Sequence, residues 1–480
     1  MQGGSRRGDR LTNADLAAAG ALVAIGLALR WAAALKPLWL DEIWSVKLLP
    51  GVFSPLRILT AHAEVNHYLN TFYLSFVPPT SWWPAYRLHS LIAGAAAIPL
   101  AGLCARRLGR AEAWAAMALT AFSYPLIHYS SEARGYSLAV CFSLASVIFL
   151  RRWLAKENFR DAAAFWALAS LGLLAHLGYV FVLAAAGFSA WLVLARRERR
   201  FLPLRSLITL GGVPVLVLAA LCLGDVRFMP FVGAPPQTVA DVGRGALSLL
   251  VGGPEAGALS WAAAAAAAAL TLAGMAALAR EDEGEAVFTA LLIFILPLAS
   301  VAVFRPRSPE IRYLLLAMAF ALQLAAAGLV RLWRSSAAGR ALAGAAAVLI
   351  LAGGMTRTAR LIEVGRGDAL AALDFMSART SGPQVSIGSD NDFRNGMVES
   401  FYAPLVQPPK QLVYYKQGTW PAAGVDWVVI HSFDLRGRPP RGLRVGGVDY
   451  AYSAEFPYSG LSGLTWVVYR NARAGSVNPE

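Results

Sequence analysis

Between residues 14 and 356 the chain is a succession of apolar blocks separated by short polar breaks, most of them basic. A helix of about twenty residues crosses a hydrocarbon core roughly 30 Å thick. Block length combined with flanking charge predicts spans at 14–35, 87–104, 112–128, 137–151, 161–175, 177–195, 205–224, 256–279, 286–304, 313–333 and 341–356. The block from Asp161 to Ala195 is read as two spans because His176-Leu177-Gly178 interrupts it. Two stretches, 36–86 and 225–255, are too long for simple turns and are read as outer loops. Trp39, Trp44, Trp82 and Trp83 in the first are expected to rest in an aromatic belt at the bilayer surface. The second is expected to hold a surface or re-entrant helix around Ala246 to Val251.

The pattern changes at Arg357. Apolar runs shorten and turn signals appear at Ser381-Gly382-Pro383 and Gln407-Pro408-Pro409. Strand-like runs follow at Gln384 to Ile387, Gln411 to Tyr415, Trp427 to Ile430 and Leu464 to Tyr469, with a helical pattern at Ala369 to Ala378. The expected architecture is an α-helical polytopic membrane protein with about 11 transmembrane helices over residues 1–356, and a C-terminal extracytoplasmic α/β domain over 357–480.

Composition agrees: 57% of residues are hydrophobic and only 15% charged, against about 25% charged in soluble domains. An ordinary soluble enzyme is excluded. The net charge of +14 would raise the question of nucleic acid in a soluble chain. Here, with a cytoplasmic amino terminus, the clusters at Arg106, Arg107 and Arg110, at Arg151 and Arg152, and from Arg196 to Arg200 all fall inside, so positive-inside orientation accounts for the basicity without nucleic acid. Cys104, Cys141 and Cys222 lie within or at the ends of spans, so neither a disulfide framework nor a zinc–cysteine site is available. The spans carry almost no charge at mid-depth and show no internal repeat, which counts against a secondary transporter.

The residues capable of chemistry cluster instead at the expected outer ends of spans. They are Asp41-Glu42 just after the first span, Glu132-Ala133-Arg134-Gly135-Tyr136 between the third and fourth, and Glu310-Ile311-Arg312-Tyr313 at the tenth. One carboxylate of the adjacent pair can act as a general base and the other as a metal ligand or orienting partner, with a solvated charge pair as the plainer alternative. A fixed guanidinium fork suits a phosphate, while pairing of Arg134 with Glu132 and of Arg312 with Glu310 is the plainer reading there. The first loop adds His62, Glu64, Asn66 and His67, so that Glu42, His62 and His67 are candidate metal ligands.

Taken together, Asp41-Glu42, Val65-Asn66-His67-Tyr68-Leu69-Asn70-Thr71, Tyr86-Arg87-Leu88, Glu132-Ala133-Arg134-Gly135-Tyr136-Ser137-Leu138 and Arg312-Tyr313-Leu314-Leu315 resemble the integral-membrane glycosyltransferases of superfamily C (GT-C), in the branch of protein O-mannosyltransferases and the lipid A aminoarabinose transferase. The resemblance covers order and spacing over about residues 14–335. It departs at His67-Tyr68-Leu69, where relatives often carry Pro-Pro-Leu, and this leaves the acceptor open.

The resemblance implies an inverting transfer of a sugar from a polyprenyl-phosphate donor to an acceptor hydroxyl of a protein, lipid or glycan, at the periplasmic face of a bacterial inner membrane. Carried over by position, Asp41 would take the acceptor proton, assisted by Glu42, while Arg134, Arg312 and Tyr313 would hold the donor phosphate. Asn66, His67, Glu132 and Tyr136 would position substrates. A phosphate leaving group needs charge stabilisation and little protonation, so no cofactor is required and a divalent metal is optional. The alternatives are a ligase using a polyprenyl-diphosphate-linked glycan and a transporter or flippase of lipid-linked saccharides.

Overall fold

The computed structural model describes residues 12–51, 54–63, 67–229, 237–299, 309–433 and 437–473. It divides into two compact units. The first comprises Met1–Ala32, Ile58–Tyr73 and Arg87–Thr356; the second comprises Ala33–Arg57, Leu74–Tyr86 and Arg357–Glu480. The first long loop is therefore shared out between the units rather than forming one body.

The first unit is helical. Among the described residues, eight helices are long and apolar enough to cross a membrane: Asn13–Ala33, Pro84–Ala105, Tyr136–Lys156, Leu177–Glu198, Leu204–Phe228, Ala258–Glu281, Ile311–Ser335 and Ala337–Val364, of which the first, second and last have an end assigned to the second unit. The other three expected spans are also helical where described, but differ in build. Span 112–128 is broken at Ser123 into Arg110–Phe122 and Tyr124–Ser130. Span 161–175 is the 17-residue helix Phe159–Ala175. Span 286–304 begins as Glu283–Ala290, passes through a π-helical turn at Leu291–Ile295, and runs beyond the described residues. The second loop holds the amphipathic helix Val239–Leu250, two turns longer at its start than the sequence reading gave it.

Helix Leu315–Ser335 is the axis of this unit, buried from Leu315 through Leu329. It packs against Ala258–Glu281 through reciprocal glycines: a Cβ at Gly274 would sit 2.0 Å from the Leu324 carbonyl oxygen, and one at Gly328 would sit 2.2 Å from that of Leu270. Small residues allow this backbone approach, which dispersion rewards in a lipid environment where apolar burial alone does not drive association. Ala264 and Ala267, the buried members of the alanine run, extend the buried face that carries Gly274.

The break at Ser123 explains the buried Arg30. Ala121 lacks its usual backbone donor because the residue four positions on is Pro125, which has no N–H. Arg30, with no accessible surface, supplies the donors: Nη1 to the Ala121 and Gly26 carbonyls at 3.2 and 2.8 Å, and Nη2 to that of Thr120 at 3.1 Å. A guanidinium thus closes a helix terminus where water cannot reach.

The second unit contains a six-stranded mixed sheet. Its strands are β1 (Gln384–Ser389), β2 (Gln411–Tyr414), β3 (Trp427–Ser432), β4 (Gly442–Val445), β5 (Val448–Phe456) and β6 (Thr465–Asn471), in the order β2-β1-β3-β6-β5-β4. β1 runs parallel to β2 and β3, and the other pairings are antiparallel. Val428, Val467, Tyr450 and Tyr469 join Val425 and Val448 in its core. Helices Ala369–Arg379 and Asp392–Tyr402 complete the α/β part.

Replacing Arg30 by Met keeps an apolar stem but removes every donor to these carbonyls. We expect a loss of about 1–3 kcal/mol, the usual penalty for orphaned buried polar groups, read as a lower melting temperature in detergent; an unchanged melting curve would refute the capping role.

Candidate active site

At one end of the helical unit, the segment Ser131–Gly135 and the loop before Tyr68 meet through a hydrogen bond. The Gly135 N–H donates to His67 Nδ1 at 2.8 Å. Gly135 admits no side chain, since a Cβ there would lie 1.8 Å from the Ala175 carbonyl oxygen. The Ser90 hydroxyl donates to the Arg134 carbonyl at 2.9 Å, and Ser137 Oγ donates to the Ser90 carbonyl at 3.0 Å. The peptide carrying Arg134 is therefore fixed on both sides.

Around this bond stands a tight group of rings. His67 meets Tyr136 and His176 edge to face at 5.1 and 4.9 Å, and Tyr136 lies 4.7 Å from His176 and 5.1 Å from Tyr129. The Arg134 guanidinium lies 5.8 Å from the Tyr136 ring centroid, and that of Arg312 lies 5.6 Å from Tyr313. Burial pushes His67 well below its usual range, with Arg134, His176 and Arg312 acting in the same direction. Burial, followed by Arg134 and Arg312, pushes His176 down to about 3. Both arginines thus act on the same two rings, and both histidines are neutral at physiological pH. The positive charge in this group comes from the guanidinium ions.

Glu132 and Glu310 divide between different partners. Glu310 Oε1 accepts from Arg312 Nη2 at 2.7 Å. Glu132, fully buried, faces His128 Nε2 at 3.1 Å rather than being placed beside Arg134 alone. Beside Glu310 and Tyr313 opens an apolar groove of about 290 Å³, walled by Val242, Leu250, Phe294 and Met318 among others. Phe294 lies in the π-helical turn and Pro297 follows it, while Val242 and Leu250 come from the amphipathic helix of the second loop.

Asp225 is a residue that sequence reasoning missed. It looked like the polar end of an apolar block, but it is fully buried and binds the first loop at three points. Its Oδ1 accepts the His62 backbone N–H and faces His62 Nδ1, both at 2.7 Å, and its Oδ2 accepts the Tyr68 hydroxyl at 2.7 Å. His62 adopts the left-handed conformation at φ 52°. Asn70 is a second such residue: it is fully buried and neither atom of its amide has a hydrogen-bond partner among the described residues.

The metal reading finds no cluster: among the described residues no three His, Cys, Asp or Glu side chains gather in a ligand arrangement. His62 is engaged by Asp225 and His67 by Gly135. Asn66 and Glu64 lie outside the described residues.

In the second unit, Asp41 and Glu42 occupy the first turn of the helix Leu40–Leu48, not an extended loop. Successive helical positions point about 100° apart, so the two carboxylates separate. Glu42 is fully buried and turns back to accept the Trp39 N–H at 3.1 Å, closing the helix start. Asp41 stays half-buried. The helix is held by Trp44 against Phe393, ring centroids 5.2 Å apart, and by Lys47 Nζ to Ser400 Oγ at 3.2 Å. Tyr402 anchors the preceding turn, donating to the Leu38 carbonyl at 2.6 Å. The expected aromatic belt is accordingly corrected: Trp39 and Trp83 are 8% exposed, and of the four only Trp82, at 52%, is largely open.

The depressed histidines carry a pH signature. The unfolded chain takes up protons on His176 from about pH 6.5 downward, whereas the folded site resists until about 3. Stability present above pH 6.5 is therefore lost as pH falls through that window. Melting temperature should drop on going from pH 7.5 to 5, and His176→Asn, which keeps an acceptor for the Gly178 N–H, should flatten the slope. An equal slope in both proteins would contradict the assignment.

No protein-family model matches the chain, and no curated protein matches it. Among solved structures, apo ArnT from Cupriavidus metallidurans superposes with a TM-score of 0.53 at 13% identity, covering 98% of this chain and 100% of that one. The apo oligosaccharyltransferase of Archaeoglobus fulgidus gives 0.48 at 13% identity over 86% of this chain and 69% of its own. Arabinosyltransferase EmbB from Mycobacterium smegmatis gives 0.41 at 18% identity over 68% and 32%. Agreement over 98% of this chain and 100% of that one gives the chain the fold of ArnT, which is of the GT-C type.

Proposed function

We propose that the chain is an inverting glycosyltransferase that moves a sugar from a polyprenyl-phosphate donor to an acceptor hydroxyl at the periplasmic face of a bacterial inner membrane. The observation that carries this reading is the joint action of Arg134 and Arg312 on one buried ring cluster, beside an apolar groove that begins at Glu310 and Tyr313. A polyprenyl phosphate has the same two parts, an anionic head and an apolar chain. The GT-C fold favours the same chemistry.

In this reading the acceptor oxygen attacks the anomeric carbon while Asp41 takes its proton. The bond from that carbon to the phosphate oxygen breaks, and the electron pair leaves on the lipid phosphate. Arg134 and Arg312 stabilise the charge gained there, and Tyr313 lines the path of the chain. Neutral His67 and His176 shape the pocket without adding charge, and Tyr136 supports Arg134 through its ring face. The buried Asn70 amide is matched to a sugar hydroxyl, which would satisfy it. Glu42 holds the start of the Asp41 helix, so its part is to position rather than to react.

The test is transfer by the purified protein given a panel of polyprenyl-phosphate sugars and an extract of cell-envelope acceptors. Asp41→Asn should lower turnover by about 10²–10⁴-fold, the range of a lost general base, with donor binding retained. Arg134→Gln should lower it by about 10²–10³-fold and weaken donor binding. Turnover that survives both substitutions would overturn the reading, and donor binding without any glycosidic product would favour a transporter.

A further inference from the structure

The strand order of the second unit predicts a crevice at its switch point. In the order β2-β1-β3, the chain leaves β1 towards one neighbour and returns past it to the other, so β1 and β3 flank a topological switch point. In open parallel sheets, ligands bind beyond the carboxyl ends of the strands at that point. Here those ends carry Asp390, just after β1, and His431, in the last turn of β3, although 41 positions separate them in the chain.

The side chains at this place form one connected set. Asp390 Oδ1 faces His431 Nδ1 at 2.9 Å and accepts from Asn395 Nδ2 at 2.9 Å. His431 Nε2 in turn accepts from Arg394 Nη1 at 2.9 Å. The carboxylate therefore sets the imidazole tautomer, and the imidazole sets the guanidinium. Arg394 also lies 5.3 Å from the centroid of Phe433, a ring 40% exposed, whose carbonyl is fixed by the Tyr458 hydroxyl at 2.7 Å. The His431 side chain is only 9% exposed, while that of Asp390 is 29% exposed. Asn395, 4% exposed, keeps its Oδ1 without a hydrogen-bond partner among the described residues.

We infer that this crevice is a saccharide site, formed by Asp390, Arg394, His431 and the Phe433 ring, and that it recognises the acceptor. The inference rests on the glycosyltransferase reading for the word acceptor, but not for the binding itself. A vicinal diol can donate to a carboxylate and accept from a guanidinium, and the carbon face of a pyranose can lie on an exposed ring. The formal charge selects a neutral sugar: Asp390 and Asp392, the latter accepting the Tyr414 hydroxyl and the Gln417 N–H, outnumber Arg394, so an anionic ligand would meet net repulsion. Location supports the acceptor role. Phe393, next to Arg394, is the ring that packs on Trp44 of the Asp41 helix. The same helix, Asp392–Tyr402, thus carries part of the crevice and holds the candidate base in place.

Saturation-transfer NMR on the full-length protein in lipid nanodiscs, with methyl glycosides of glucose, galactose, mannose and N-acetylglucosamine as probes, tests this without needing turnover. At least one neutral glycoside should give signal, and Arg394→Gln and Phe433→Ala should each weaken it at least fivefold while leaving the melting temperature and polyprenyl-phosphate binding unchanged. Where transfer is measurable, both variants should raise the acceptor KM by a similar factor with kcat and donor KM unmoved. Absence of signal from every glycoside, signal insensitive to both substitutions, or response only to added glucuronate would overturn the inference. Saccharide binding with no transfer by any protein would leave the crevice standing and remove the transferase reading instead.

Discussion

The site in the helical unit depends on a histidine that cannot be charged. His67 accepts the Gly135 N–H through Nδ1, which only a neutral imidazole with its proton on Nε2 can do. Protonation would exchange that bond for repulsion from Arg134 and Arg312. Burial resolves the conflict by making the charged imidazole expensive, so two cations stand beside two histidines without four positive charges accumulating. The backbone follows from the same bond. Gly135 must lie against the Ala175 carbonyl, so no other residue fits, and Arg134 next to it has its own carbonyl held by Ser90. A guanidinium carried on a backbone fixed in this way would need little reorganisation to meet an anion, the condition under which electrostatic stabilisation contributes most to rate.

Away from the site, the constraint is that backbone groups must find partners inside the helical unit. The Pro125 break would leave carbonyls exposed among apolar helices, and Arg30 answers with hydrogen bonds to two of them, those of Thr120 and Ala121. The opposite problem, bringing backbones close, is solved by Gly274 and Gly328. At the basic end of the unit, Glu285 accepts from Arg151 and pairs with the Arg107 guanidinium, and Arg107 donates to Asp282 at 3.1 Å, so ion pairs tie the loops between helices alongside the apolar cluster of Leu278, Ala286 and Leu324. The clusters that suggest orientation in the sequence therefore also join helices in the fold.

Hydropathy made the membrane helices legible, because a span must be apolar over its length whatever it packs against. It also marked the three loops that carry Asp41, Arg134 and Arg312, since charge is conspicuous beside such blocks. It could not show that Asp41 and Glu42 lie on a helix, because nine residues with one acidic pair are too few for a period to emerge. Asp225 was hidden by looking like a boundary, although its full burial makes it a clamp on Tyr68 and His62. In the second unit, four strands were read from their β-branched runs, but β4 and β5 were not. Their hairpin turns on Gly446-Gly447, both at positive φ, within a stretch too rich in Arg and Gly to look strand-like. The crevice was illegible for a different reason: Asp390 follows β1 and His431 lies near the end of β3, and only the parallel pairing of β1 with β3 makes them neighbours.

The distribution of these groups has a consequence for how specificity can change. The arginines that would grip the donor phosphate, and the groove for its chain, belong entirely to the helical unit. The candidate base, its supporting helix Asp392–Tyr402 and the crevice at β1 and β3 belong entirely to the second. Substitutions at Arg394 or Phe433 therefore alter neither the His67–Gly135 bond nor the Arg30 cap, because they share no partners with them. The donor, whose anionic head and apolar chain impose the same demands whichever sugar is attached, can be held by a fixed arrangement of buried charge. In the proposed reading the acceptor, left open by the motif His67-Tyr68-Leu69, would be read by polar groups on loop ends and a helix start. Such positions accept change without opening a cavity in a core, so the acceptor is where divergence between proteins of this fold meets the least physical resistance.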